Sequence, residues 1–333
     1  MRRPATVGVD VGGSKVLAVV VDADLRVLGQ HLLPAGRGVD AVVATVVRAV
    51  LGCLSAASLT LDDVQVVGVG VPGLVRPGSG RVSHAVNLDL GTGGVDLATR
   101  LAVVLGIHVV VENDVNAAAL GAASIPPGHR DMALLSIGTG LAAGIVVDGM
   151  LHRGSRGAAG EIGHVQIDPA GPPCRCGQRG CLEMVASGSA LARSWSSCEG
   201  PAGAALWAAA SRGEAAAVRA RDDFTRGVAA AVRLLVLTWD VERVVLSGGV
   251  VELGDALLAQ VRVELATQGR ISRLLQALDL PGRVELLPAG TSAGAVGAAV
   301  AARQSLPPRV PVPAGPLPAR PVPAVSRTSG RLL

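Results

Sequence analysis

The sequence predicts an α/β protein of two lobes, built from duplicated α/β domains around a central cleft. Three observations predict it. Residues 6–11 alternate Val with Gly and Asp, turn through Gly12-Gly13-Ser14-Lys15 and continue into a second β-rich run, 16–22, which is the pattern of a hairpin. The pattern returns at 133–137, Gly138-Thr139-Gly140 and 143–148. Gly12 to Gly138 and Asp22 to Asp148 are both 126 residues, and a unit repeated at a fixed offset marks a duplicated architecture. Finally, 333 residues, half of them apolar, suffice for two cores.

The remaining elements follow in order. Residues 40–57 are rich in Ala and Val and read as a helix, and 64–71 as a buried strand that ends on Val71-Pro72-Gly73-Leu74. A loop over 76–94 leads to a short helix, 95–105, and the strand 107–111. The helix 115–123 begins directly after Glu112-Asn113-Asp114, residue types that favour helix starts. Beyond residue 186 come Ala- and Arg-rich helices to 240, a strand at 241–246, the turn Ser247-Gly248-Gly249-Val250 and a helix over 252–268. A strand at 283–287 and the run Ala289-Gly-Thr-Ser-Ala-Gly294 precede a last Ala-rich helix to about 302. The first lobe is therefore drawn as 1–118, completed by the helix at about 290–302, and the second as 119–289. Residues 304–333 hold eight of the twenty prolines and are expected to form a disordered, partly polyproline II tail.

Between the lobes' motifs lies the segment 160–183, which gathers His164, Cys174, Cys176 and Cys181. One imidazole and three thiols match a closed structural zinc site, with no position left for water. The alternative is a disulfide with spare cysteines, but a Cys-x-Cys pair is poorly placed to bridge with itself. Glu161 and Glu183 bracket this loop, and carboxylates on a pinned loop suit the recognition of sugar hydroxyls. The plain alternative is that both are solvated loop acids.

Composition narrows the partners. The formal net charge is +4, but five arginines and no acid lie beyond residue 302, so the body is near neutral. That balance, with no Tyr, one Phe and three Trp, gives neither a basic footprint nor a stacking platform for nucleic acid. No secretion signal or membrane span is expected, and thiols used as metal ligands fit a reducing cytoplasm. Cys53 and Cys198 read as small buried apolar residues.

Three glycine pairs follow apolar strands: Gly12-Gly13, Gly138 with Gly140, and Gly248-Gly249. Small residues let backbone N–H groups approach phosphate oxygens, and Ser14, Thr139 and Ser247 add hydroxyl donors. Lys15, the only lysine, stands in the first turn. The run Gly138-x-Gly140-x-x-x-Gly144 is not a dinucleotide fingerprint, because a strand follows where a helix is required. Nor does Gly12-Gly13-Ser14-Lys15 have the spacing of a Walker loop. Asp114 is the candidate base. Its competing role is a helix N-cap, and a carboxylate at that place is expected to be held as the anion and to be a weak base. Phosphoryl transfer tolerates a weak base, since its loose transition state needs the acceptor hydroxyl oriented more than deprotonated. Asn113 can hydrogen-bond a neighbouring sugar hydroxyl, and Asp10, an acid in a Val/Gly strand, suits a phosphate-bound Mg²⁺ reached through water.

On these residues the chain resembles the ROK family of sugar kinases and related regulators, within the actin-like ATPase superfamily of ribonuclease H-like fold. The resemblance spans residues 6–302. It rests on Asp10-Val-Gly-Gly-Ser-Lys15, Gly70-Val-Pro-Gly73, Glu112-Asn-Asp114, Ile137-Gly-Thr-Gly140, Gly160-Glu-Ile-Gly-His164, Cys174-x-Cys-Gly-x-x-Gly-Cys-Leu-Glu183 and Ser247-Gly-Gly-Val250. It implies that sugar and MgATP meet in the cleft and that Asp114 is the base toward the sugar 6-hydroxyl. Gly73, Asn87, Asn113, Glu161, His164 and Glu183 then match sugar-side positions, His164 being also a zinc ligand. Asp10, Gly12, Gly13, Ser14 and Thr139 match phosphate-side positions, and Gly248 and Gly249 the adenosine side. The resemblance implies a glucokinase-type enzyme, with an N-acetylmannosamine or N-acetylglucosamine kinase as the near alternative and a sugar-sensing regulator without a DNA-binding domain as the distant one. Family analogy also implies a homodimer or homotetramer. Ala142 departs from the pattern, since many members have Gly there in the second phosphate loop.

Overall fold

A computed structural model describes residues 4–91, 93–126, 128–195 and 202–307. The predicted tail beyond 307 and Cys198 lie outside the described residues. The first sheet takes β1 (Ala5–Val11), β2 (Lys15–Val21), β3 (Val27–Pro34) and β4 (Val64–Val71). A small sheet of β5 (Leu74–Arg76), β6 (Arg81–Ser83) and β7 (Val95–Asp96) follows, and then β8 (Val109–Asn113) returns to the first sheet. The second sheet is built from β9 (Met132–Ile137), β10 (Leu141–Val147), β11 (Met150–Leu151), β12 (Arg243–Ser247) and β13 (Val284–Leu286).

The two sheets share one plan. Their orders are β3-β2-β1-β4-β8 and β11-β10-β9-β12-β13. In each, a central strand pairs antiparallel with the strand after it and parallel with a later one. The predicted offset survives to the residue: β2 spans 15–21 and β10 spans 141–147, again 126 apart at both ends.

Among the described residues, ten α-helices accompany the sheets: α1 (Val39–Ala56), α2 (Leu97–Leu105), α3 (Asp114–Ser124), α4 (Glu183–Ala186), α5 (Gly188–Ser194), α6 (Ala202–Ser211), α7 (Ala215–Trp239), α8 (Asp255–Arg270), α9 (Arg273–Ala277) and α10 (Ala293–Ser305). By length and composition α1 could cross a membrane, which the sequence reading did not anticipate. In this fold it buries Val42, Val46, Ala49, Val50 and Leu54 in the core of the first sheet.

Helix α10 packs on α3 and on β1 and β4, so the end of the chain completes the first sheet's layer. Small residues make that contact possible. A Cβ on Gly297 would lie 1.7 Å from the Ala117 carbonyl oxygen, and one on Gly8 would lie 1.9 Å from that of Ala295. Arg303, expected to open the tail, is instead part of α10. Its guanidinium donates to Thr6 Oγ1 at 2.8 Å and to the carbonyls of Asp22 and Ala23.

Two parts of the first lobe were not legible as strands. β3 has a mostly exposed pattern and is an edge strand, and of the small sheet β6 falls within the stretch expected to be loop, β5 reaches it only at Arg76, and β7 takes the first two residues of the helix expected at 95–105. The strand expected at 107–111 is shifted to Val109–Asn113, because Glu112 and Asn113 still pair with Gly70 and Val71 of β4. Helix α3 runs unbroken across residue 118. Ala142 lies within β10, opposite Ser136, and not in the Gly138–Gly140 turn.

Candidate active site

The ends of β1, β4 and β8 converge on the start of α3, which is where ligands bind in open α/β sheets. Asn113 closes β8 and caps α3: its Oδ1 accepts the Asn116 backbone N–H at 3.0 Å. Asp114 is therefore the first residue of the helix, and the cap is its neighbour. Asn113 Nδ2 also donates to the Gly73 carbonyl at 3.0 Å, tying the helix start to the turn after β4. Gly73 holds φ +104°, a conformation that L side chains rarely adopt.

Asp114 does not behave as the helix terminus alone would make it. Its pKa is pushed up to about 6, first by burial and then by the charge of Asp10, while the backbone N–H of Val115, 2.9 Å from Oδ1, pulls it down and Glu161 adds to the rise. Loss of water outweighs the helix N-terminus. The expectation of a weak base held as the anion is thus corrected. Asp10 is raised too, by burial, with Lys15 opposing. Two half-buried carboxylates of this kind form a site suited to proton transfer.

The glycines around this pair divide into two kinds. Gly248 has φ +92° and a Cβ there would lie 2.5 Å from the Ile137 carbonyl oxygen, so the fold itself requires glycine. At Gly138 and Gly249 a Cβ would meet nothing within 4 Å, and neither has positive φ. At Gly13 the nearest atom would be Asn87 Cβ at 3.6 Å. Neither packing nor backbone conformation explains these three, which leaves open a surface that backbone N–H groups can offer to a phosphate. The turns themselves are closed by Gly12 N–H to the Lys15 carbonyl at 2.9 Å and Gly138 N–H to the Gly140 carbonyl at 3.1 Å. Ser14 is exposed, and its carbonyl accepts the Ala35 N–H.

Seven of the predicted residues line two cavities, while Asn113, Asp114, Glu161 and His164 line neither. One, of about 450 Å³, is lined by Asp10, Gly12 and Lys15 with Ser292 and Gly294. The other, of about 390 Å³, is lined by Asn87, Thr139, Gly140 and Glu183 with Arg175 and Arg193. A third cavity, of about 630 Å³, is lined by Asp22, Asp24 and Asp62 and by none of the predicted residues.

The Cys₃His cluster forms as predicted: one donor atom each from His164, Cys174, Cys176 and Cys181 lies within 4.8 Å of the others. Cys176 and Cys181 sulfurs are 3.6 Å apart, and Cys174 Sγ is 3.7 Å from His164 Nδ1. Zinc with Zn–S bonds near 2.3 Å needs ligand sulfurs about 3.8 Å apart in a tetrahedron, so the donor set fits that ion. Burial and the neighbouring thiols push Cys181 up to about 12. Three thiols packed so closely need a cation to ionise together. His164 turns Nδ1 to this cluster and Nε2 to Glu161, 3.9 Å from Oε2. The second carboxylate is held differently: Glu183 Oε2 accepts the Leu141 N–H at 3.0 Å.

Two residues of the site were missed as individuals. Gly294 lies against Asp10, where a Cβ would be 2.7 Å from the carboxylate carbon. Glu112 is 5% exposed and bound to Arg153. An acid at the penultimate position of a valine strand was the available sign that a buried partner existed.

Two sheets of one plan, meeting at glycine turns and half-buried carboxylates, define the actin-like ATPase fold. The chain belongs to the ROK family, whose model matches residues 6–305. It is 31% identical over 325 residues to the glucokinase of Streptomyces coelicolor, covering 91% of this chain and 98% of that protein. It is 34% identical over 268 residues to the N-acetylmannosamine kinase of Citrobacter koseri, covering 79% and 89%. Among solved structures, the ROK family glucokinase of Streptomyces griseus in complex with glucose and AMPPNP superposes with a TM-score of 0.72 at 31% identity, covering 90% of this chain and 99% of that one.

Proposed function

We propose that this protein is an ATP-dependent sugar kinase that phosphorylates a hexose at its 6-hydroxyl, with glucose as the substrate. The observation that carries this is Asp114, half-buried at the start of α3 and raised to about 6 by desolvation and by the charges of Asp10 and Glu161. At neutral pH such a carboxylate is ionised, yet is a far better proton acceptor than an exposed one. In this reading Asp114 takes the proton of the sugar hydroxyl as the hydroxyl oxygen bonds to the terminal phosphorus of ATP and ADP leaves. The identities to the glucokinases support the substrate. The Citrobacter koseri relative supports N-acetylmannosamine as the second candidate.

The other roles are assigned with it. Asn113, whose Oδ1 and Nδ2 are already oriented by Asn116 and Gly73, offers its remaining N–H and lone pair to the sugar. Gly73, Asn87, Glu161, His164 and Glu183 complete the sugar side. Gly12, Gly13, Ser14, Lys15, Gly138, Thr139 and Gly140 face the phosphates, and Gly248 and Gly249 the adenosine. Zn²⁺ held by His164, Cys174, Cys176 and Cys181 is structural and fixes Glu161 through His164. Mg²⁺ bound with ATP would neutralise phosphate charge, and we assign Asp10 to reach it through water. We assign 1–118 with 290–302 to the first lobe and 119–289 to the second. We infer a cytoplasmic homodimer or homotetramer with no nucleic-acid or membrane partner, a setting in which the thiols stay reduced.

A coupled assay of glucose, mannose, N-acetylglucosamine and N-acetylmannosamine with ATP and with polyphosphate tests the reading. The highest kcat/KM for glucose with ATP supports it. Preference for N-acetylmannosamine moves it to the second candidate, and no turnover with any pair removes it.

A further inference from the structure

Glu112 is the penultimate residue of the edge strand β8, and both its oxygens are engaged. Oε2 accepts from Arg153 Nε at 2.6 Å. Oε1 accepts the backbone N–H of Asn113 at 3.0 Å and Asn116 Nδ2 at 3.1 Å. Asn113 and Asn116 are in turn bonded to each other through the helix cap. Asp114 lies between them in the chain. The turn that carries the candidate base is thus held on both sides by groups anchored to one buried carboxylate oxygen.

That carboxylate needs a positive partner, since a buried ionised acid without one is costly. The partner comes from the other lobe. Arg153 follows β11 of the second sheet, and its side chain is 29% exposed against 6% for Glu112. Close by, Gln304 Nε2 donates to the Gly149 carbonyl at 3.1 Å, so the last helix is tied to the same part of the second lobe. We infer that Arg153 is a positioning residue for phosphoryl transfer: acting through Glu112, it makes the placement of Asn113 and Asp114 depend on the second lobe. This rests on Asp114 being the proton acceptor. Small displacements of an accepting group lower the rate of the chemical step without weakening binding.

The test compares Arg153→Met and Arg153→Lys with the parent chain, reading kcat per folded molecule, KM for sugar and for ATP, zinc content and melting temperature. Arg153→Met is expected to lower kcat about 10- to 100-fold, with both KM values within about threefold and zinc retained. Arg153→Lys is expected to recover part of the loss, because its ammonium still neutralises Glu112. A merely structural arginine would lower the melting temperature and leave kcat per folded molecule unchanged. An Arg153→Met enzyme within about twofold of the parent kcat overturns the inference. Should that variant not fold, Arg153→Gln is read in its place, and a kcat within about twofold of the parent overturns the inference equally. A parent chain that phosphorylates no hexose removes the kinase reading and this role together, whereas an active parent matched by its Arg153 variants removes this role alone.

Discussion

Gly140 and Glu183 are mutually dependent: a Cβ on Gly140 would stand 2.5 Å from Glu183 Oε2, the oxygen that accepts the Leu141 N–H. The second glycine turn and the carboxylate closing the metal loop are therefore one structural unit. Glycine at 140 makes room for the acid, and the strand that follows the turn orients it.

Gly140→Ala is expected to push Glu183 off the Leu141 N–H. A bond to a charged group is worth roughly 1.5–3 kcal/mol, so sugar affinity should fall about 10-fold or more. Calorimetric titration with glucose measures this, and unchanged affinity would separate Glu183 from the sugar.

Gly138→Ala makes the opposite kind of test. A methyl group there meets nothing within 4 Å and the backbone has no positive φ. The fold should accept it with a change below about 0.5 kcal/mol, while KM for ATP rises several-fold. A normal KM for ATP would mean that no phosphate approaches this turn.

Asp114→Asn should abolish phosphoryl transfer by about three orders of magnitude with glucose still bound. It should also stabilise the fold. Because the folded-state pKa is about 6, above the ordinary carboxylate value of 3.8, ionising Asp114 in the folded protein is costly. The stability this group contributes is complete below about pH 4 and lost as pH rises through 6. At pH 8 the Asn variant is expected to be more stable by on the order of 2–3 kcal/mol, the difference vanishing toward pH 4. Urea melts across pH read it out.

The same group sets the pH dependence of turnover. The base is active as the anion, so kcat/KM, which follows the free enzyme, should fall with decreasing pH around a midpoint near 6. A flat profile down to pH 5 would remove Asp114 as the proton acceptor.

Cys176→Ser is expected to lose zinc and sugar affinity together, because the metal fixes His164 and His164 Nε2 faces Glu161 at 3.9 Å. Elemental analysis and glucose titration on the same sample check it. Full sugar affinity without metal would break the link between the cluster and Glu161.

How far these features were legible differs by element. The hairpins were, because each carries its own signal: an apolar run, a glycine turn and a second run at a repeated offset. The clustering of His164, Cys174, Cys176 and Cys181 was, because three thiols and an imidazole in so short a stretch are brought together by the loop itself. β5–β7 were not, because strands of two or three residues have too short a period to read. The cap of α3 was placed one residue late, since Asn and Asp are both good caps and only the Asn113 bond to Asn116 tells them apart.

Sequence alone determined the duplicated plan, the Cys₃His loop and the identity of the candidate base, because those depend on residue type and on spacing along the chain. Tertiary structure decided how that base titrates and what holds it. Burial and the approach of Asp10 and Glu161 raise Asp114, and Arg153 reaches Glu112 from 41 positions away. Neither follows from local pattern, since the loss of water and the meeting of distant charges exist only once the two lobes pack together.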